Sequence, residues 1–187
     1  MLEIKITNED RKLAARRANN MPEWRLSMRG HEANVVGILG EVIAENWLTK
    51  NNIVIYDERN LTTHDYKLGD RKNTFEIKTK DRTVPMQMSY ECTVPDYNHS
   101  HQDPDFYLFI SLERDASNPQ NDITRFHTAY IVGAISRKKF NEKKRSWKIG
   151  DEDRSNRWKP SMDCWNVYAK DLGPPKTVIK HWSKFNP

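Results

Sequence analysis

No apolar run in this chain approaches the roughly 18 to 20 residues that carry a helix across a bilayer. The first residues lack the basic, apolar and small-residue succession of a secretory signal. The expectation is a cytoplasmic protein without a membrane partner. Cysteine is scarce: Cys92 and Cys164 stand alone, with no CxxC or Cys/His spacing, which argues against a disulfide scaffold and against a zinc site. Both are expected to be small buried hydrophobes without chemistry. There is no G-x-S-x-G and no phosphate loop ending in Gly-Lys, and His31-Glu32 is followed by Val35 and Val36 rather than completing HExxH. The common serine-hydrolase, NTPase and zinc-protease chemistries are thereby excluded.

Apolar residues make up only 36% of the chain and charged ones 30%, yet six Trp, seven Tyr and six Phe supply large apolar area in few positions. The 187 residues suit one folding unit with a very polar surface. Charge is unevenly spread. Residues 133–187 carry 14 Lys+Arg against 6 Asp+Glu, whereas residues 1–132 carry 17 against 20. A basic face of this kind suits a polyanion, because lysines and arginines that neutralise phosphates release counterions; a merely solvated basic face is the plain alternative.

The segment "NEDRKLAARRANN" reads as a helix with Asn8 as N-cap, acids in the first turn and bases later, stopping at an Asn pair before Pro22. In "HEANVVGILGEVIAENWLTKNN" the residues Val35, Ile38, Leu39, Val42, Ile43, Asn46 and Trp47 recur at helical steps. Gly37 and Gly40 in this helix predict close approach to a sheet, since glycine otherwise weakens a helix; a GxxG nucleic-acid loop does not suit so apolar a context. Strands are expected at 52–56, 64–68 and 74–80, the last two joined by a turn containing Gly69 and Asp70. Residues 81–104, with Pro85, Pro95 and Pro104, read as mostly irregular. "DFYLFISLE" and "FHTAYIVGAI" read as central strands buried on both faces, with a surface turn at 115–122 between them. A basic helix at 136–148, a mobile loop at 150–161 and a late strand "CWNVYAKDL" before "GPPK" complete the chain.

Side chains alternate across a strand, so Glu76, Lys78 and Lys80 share one face of "TFEIKTK" while Phe75 and Ile77 pack on the other. Across an antiparallel hairpin, Asp65 comes close to Glu76. Two adjacent carboxylates repel unless a proton or a hard divalent cation intervenes. Asp70, a turn residue, ranks behind Asp65 as the partner acid, and Asp57 is third. A solvated Glu76–Lys78 ion pair on an edge strand is the plain alternative.

The succession of a Gly-Glu helix, a strand, Asp65 in a hairpin and Glu76-Ile77-Lys78 in an apolar strand resembles the PD-(D/E)xK nuclease superfamily, over about residues 31–135. The resemblance implies an α/β restriction-endonuclease-like core, a central mixed sheet flanked by helices, with 136–187 as a basic C-terminal extension of one domain. It implies Mg²⁺ or Mn²⁺ held by Asp65, Glu76 and the carbonyl of Ile77. Glu41, in "GILGEVIAENWL", would complete the metal shell. Lys78 would place the attacking water and stabilise developing charge. Lys80 is expected to clamp a phosphate. His64 stands where the family's Pro often precedes the Asp, and the family's helix between strands three and four is not evident.

"RKKFNEKKRSWK" and "RWK" interleave basic and aromatic residues, as nucleic-acid grips do. Lys138, Lys139, Lys143, Lys144 and Arg145 are the expected contacts there, and "RKLAARR" is a second candidate. His99, His101 and Gln102 suit a loop role beside the fourth strand. Trp147, Trp158, Trp165 and Trp182 serve packing as readily as binding. The function expected is hydrolysis of DNA phosphodiester bonds, endonucleolytic, with RNA left open; small members of the family often pair as homodimers. Compact size suits a phage or mobile-element enzyme acting in the host cytoplasm. The alternative is a nuclease-like fold that binds DNA or protein without cutting.

Overall fold

The structure, a computed structural model, describes residues 1–19, 31–61, 63–118, 122–153 and 157–187, and of residues 31–34 the backbone alone. Strand β1 (Leu2–Lys5) leads into helix α1 (Asn8–Asn19). The cap is Thr7, one residue earlier than expected: its Oγ1 accepts the Asp10 N–H at 3.1 Å, and Asp10 Oδ2 accepts the Thr7 N–H at 2.9 Å. This reciprocal arrangement satisfies two amides that the first helical turn leaves open. Pro22, expected to follow the helix stop, lies outside the described residues.

Helix α2 (His31–Lys50) buries Val36, Ile38, Leu39, Val42, Ile43, Trp47 and Leu48. Asn46, expected on the apolar stripe, is exposed and donates to Asp10 Oδ1 on α1 at 2.8 Å. A Cβ at Gly40 would overlap the side chain of Thr79 in the sheet beneath, whereas one at Gly37 would meet nothing within 4 Å. Close approach therefore explains Gly40 alone. Asn52 ends the helix in the left-handed region at φ 57°, and the Ile53 N–H returns to the Leu48 carbonyl at 3.0 Å.

Strands β2 (Ile55–Asp57), β3 (Tyr66–Leu68), β4 (Thr74–Arg82), β6 (Phe106–Arg114) and β7 (Phe126–Ser136) join β1 in a six-stranded sheet of order β1-β7-β6-β4-β3-β2. All its pairs are antiparallel except β4 with β6, so the sheet is mixed. Strands β6 and β7 are buried on both faces, as their continuous apolar runs require. One face, with Tyr66, Phe75, Ile77, Leu108, Ile110 and Ile131, packs under α1, α2 and the late helix α5 (Pro175–Trp182). The opposite face, with Tyr107, Phe109, Tyr130 and Val132, packs under a second sheet and helix α4 (Arg137–Lys143).

That second sheet, of order β5-β9-β8, joins β5 (Glu91–Pro95), β8 (Arg145–Trp147) and β9 (Cys164–Tyr168). Residues 81–104 are thus more regular than expected: they hold β5 and a short helix α3 (Asp96–His101). Proline concealed them. Pro95 ends an edge strand that pairs only with β9, a position where a missing N–H costs nothing. Likewise the basic helix stops at Lys143, and 145–147 form a strand. Residues 119–121 of the expected surface turn and 154–156 of the expected loop lie outside the described residues; beside the latter, Asp153 and Trp158 pair as an isolated bridge. Residues 136–187 enter both cores, through Phe140 and Val167 on one face and Val178 and Trp182 on the other. No described helix is long and apolar enough to cross a membrane.

Candidate active site

Pairing of Tyr66 with Phe75 and Lys67 with Thr74, continued by one step, sets Asp65 opposite Glu76. Asp65 lies just before β3. Its carbonyl accepts the Glu58 N–H at 2.8 Å and its Oδ2 accepts the Ile77 N–H at 3.1 Å, so both backbone and carboxylate are fixed to neighbouring strands. His64, buried beside it, bonds Glu58 Oε2 at 2.8 Å and Thr63 Oγ1 at 2.9 Å and so anchors the same turn.

Glu76 is 3% exposed. Lys78 Nζ, two residues on and on the same face, donates to Glu76 Oε1 at 2.7 Å and to Gln102 Oε1 at 3.2 Å. Glu76 Oε2 is buried and accepts no hydrogen bond among the described residues. Such an atom costs about 1–3 kcal/mol or more when it bears charge. Burial first, then the charges of Glu76 and Glu41, push the Asp65 carboxyl well above its usual range, against the pull of Lys78 and the Ile77 N–H.

Glu41 reaches this group from α2. Burial raises its pKa; Arg59, bonded to Oε2 at 2.6 Å, opposes the rise, and Glu45 and Glu76 add to it. Arg59 also pairs with Asp57 and lies 3.8 Å from Glu45. Three acids therefore converge on Lys78 and an arginine already divided among other carboxylates. Nothing in the sequence around Arg59 marks this role.

The other candidate acids are occupied elsewhere. Asp70 accepts the Lys72 and Asn73 N–H groups at 2.9 and 3.0 Å inside the β3–β4 turn, and Asp57 is held by Arg59. Ile77 contributes its N–H, while its residue pairs with Leu108 in β6.

Among the expected nucleic-acid contacts, Lys138, Lys139 and Lys143 are exposed on α4. Lys144 turns inward, donating to His99 Nε2 at 2.8 Å and lying 4.1 Å from the Trp165 ring centre. Arg145 bonds Glu91 at 2.7 Å and the Tyr168 hydroxyl. In the early basic run, Arg11 holds the Phe126 carbonyl at 2.7 Å and Arg17 pairs with Glu45 at 2.9 Å, so both serve the fold. His99 bonds the Tyr107 hydroxyl at 3.0 Å, and Tyr107 is the β6 neighbour of Glu76. Arg137 of α4 donates to the Gln102 carbonyl at 2.7 Å, which ties α4 to the residue that receives Lys78.

Compared with protein-family models and with curated proteins, the chain matches none. Among the described residues no group of three or more His, Cys, Asp and Glu side chains is arranged to hold a metal ion. Two carboxylates remain, Asp65 and Glu76, one of them with an orphaned buried oxygen. That donor set fits Mg²⁺ or Mn²⁺, hard cations of which Mg²⁺ commonly takes only one or two protein carboxylates and keeps several waters. The thiols take no part: burial pushes Cys92 up to about 12 and Cys164 up to about 11, which leaves both unreactive at neutral pH.

Proposed function

We propose that this protein is a metal-dependent nuclease of the PD-(D/E)xK type, on a restriction-endonuclease-like fold, that hydrolyses phosphodiester bonds in DNA endonucleolytically. One observation carries the reading: half-buried Asp65 lies opposite buried Glu76 and beside Lys78, with a Glu76 oxygen that accepts no hydrogen bond among the described residues. Two carboxylates held this close repel unless a proton or a cation intervenes, and a hard divalent cation satisfies both at once.

Asp65 and Glu76 would hold Mg²⁺ or Mn²⁺, which when bound lowers the pKa of water and polarises a phosphate oxygen. The chain's own part is positioning. The Ile77 N–H and the Glu58 contact fix Asp65 before any ligand arrives, which is how preorganised sites avoid reorganisation during reaction. Lys78, released from Glu76, presents an ammonium that orients water or stabilises charge on the phosphate, and Gln102 keeps it aimed along the strand face. Glu41, capped by Arg59, tunes the field of the acid pair.

The test is incubation with plasmid, linear duplex, single-stranded and branched DNA and with RNA, in Mg²⁺, Mn²⁺ or EDTA. Metal-dependent cutting reduced by roughly 100-fold or more in Lys78→Ala is expected. A calorimetric titration of Mn²⁺ supplies a readout independent of cutting, and Asp65→Asn should abolish that binding. A second reading draws on the closed pairs Lys78–Glu76 and Arg59–Glu41. A protein that binds DNA or a partner without cutting would keep its affinity in Lys78→Ala and need no metal.

A further inference from the structure

Strand β4 continues past Lys78 with Lys80 and Arg82 on the same face, at about 3.3 Å per residue. There the face opens into a cleft of about 1030 Å³, lined by Lys80, Arg82, Tyr90, Arg114, Arg145 and Trp158 among others.

The charge in this cleft is not balanced. Lys80 Nζ donates to Thr93 Oγ1 at 3.1 Å and lies 4.7 Å from the centre of the Trp158 ring. Arg82 donates to the Glu91 carbonyl at 2.6 Å and lies 5.1 Å from the Tyr90 ring, while its Nε is buried with no partner among the described residues. Among the described residues neither cation meets a carboxylate. The nearby acids are taken: Asp81 pairs with Arg114 at 2.7 Å, and Glu91 receives Arg145 at 2.7 Å, Trp147 Nε1 at 3.1 Å and Asn166 Nδ2 at 2.7 Å. Asp153 also lines the cleft and has contacts of its own. Burial, and then repulsion from Arg82, bring Lys80 down to about 8. Two neighbouring cations held this way are stabilised by an anion and destabilising without one.

We infer that this cleft is a nucleotide subsite: one phosphate sits between Lys80 and Arg82, and one unpaired base stacks on the aromatic side chains, Trp158 foremost. Aromatic stacking accepts any base, but the base must be free of its duplex neighbours. The occupant is thus a single-stranded or frayed segment of nucleic acid, and a free nucleotide carries the same chemistry. That the strand runs on to Glu76 and Lys78 rests on the nuclease reading; the subsite itself does not.

Binding is measured in EDTA, by fluorescence anisotropy of a labelled oligothymidylate and of a matched hairpin duplex. Thymidine monophosphate, thymidine and inorganic phosphate are added as competitors. The single strand should bind more tightly than the hairpin, and the monophosphate should compete better than thymidine or phosphate. Lys80→Met, Arg82→Gln and Trp158→Ala should each weaken the single strand about tenfold. Lys80→Met should melt no lower than wild type, because it removes a half-buried charge that contacts no carboxylate among the described residues; a structural lysine would show the opposite. Arg82→Gln provides a second variant for the same comparison.

Single-strand affinity unchanged in all three variants would overturn the inference. So would inorganic phosphate competing as well as the monophosphate, which marks an anion hole, or a loss of folding in Lys80→Met and Arg82→Gln. A monophosphate that binds these residues as tightly as the oligonucleotide would overturn the strand as occupant in favour of a free nucleotide. Binding that survives Lys78→Ala when no substrate is cut would sink the nuclease reading and leave the subsite standing. Metal-dependent cutting with binding indifferent to Lys80 and Trp158 would do the reverse.

Discussion

At the scale of single residues, the protein gives up stability to draw charge partly out of water without an opposite charge in contact. Burial first, and then the charges of Glu76 and Glu41, raise the Asp65 carboxyl. Asp65→Asn keeps an oxygen to accept the Ile77 N–H and removes one of the repelling charges. Without metal it should therefore raise the unfolding free energy by about 1–2 kcal/mol, read in urea titrations at neutral pH; a variant less stable than wild type would show that the carboxylate serves the fold. Lys80 gives a pH-dependent counterpart. Its folded pKa, about 8, lies below the usual lysine value, so between the two the unfolded chain binds more protons than the folded one. Stability then rises with pH across that window, and the cost of burying Lys80 is fully present below about pH 8. The melting-temperature advantage of Lys80→Met should shrink between about pH 7 and about pH 10. A gap that stays constant would mean Lys80 titrates normally.

At the scale of elements, α2 and β4 are fitted through Gly40. Thr79 occupies the space where a side chain at 40 would go, and α2 is the helix that delivers Glu41. Gly40→Ala must push helix and strand apart and should cost about 1–3 kcal/mol. Gly37→Ala, with open space at its Cβ, should gain about 0.5–1 kcal/mol from helix propensity. Chemical denaturation of both variants checks the contrast, and equal effects would contradict the packing described. The sequence indicated a reason for both glycines and could not tell them apart, because helical period does not say which flank meets the sheet. The late helix α5 was hidden by its own start: "GPPK" reads as a terminator, yet Pro175 sits at the first helical position, where a missing N–H is harmless.

At the scale of the whole molecule, the chain ends are not trimmings. Trp182 is 1% exposed, with its ring 4.8 Å from Phe75 and 5.8 Å from Phe106. Trp182→Ala should cost about 3–5 kcal/mol and lower the single thermal transition as a whole; a second, separate transition would show that the C-terminal segment folds apart from the sheet. By itself the sequence determined what local pattern can encode. The apolar period of α2 and the unbroken apolar runs of β6 and β7 are local signals, and so is the alternation that sets Glu76, Lys78 and Lys80 on one face, since each depends only on spacing along one segment. Tertiary structure alone decided which distant groups meet. Arg59 caps Glu41, Gln102 receives Lys78, β5 finds β9 across some 70 residues, and Glu91 pairs with Arg145 while Lys80 and Arg82 contact no carboxylate among the described residues. Contacts of that kind follow from chain crossings and competition for partners, which no run of neighbouring residues records.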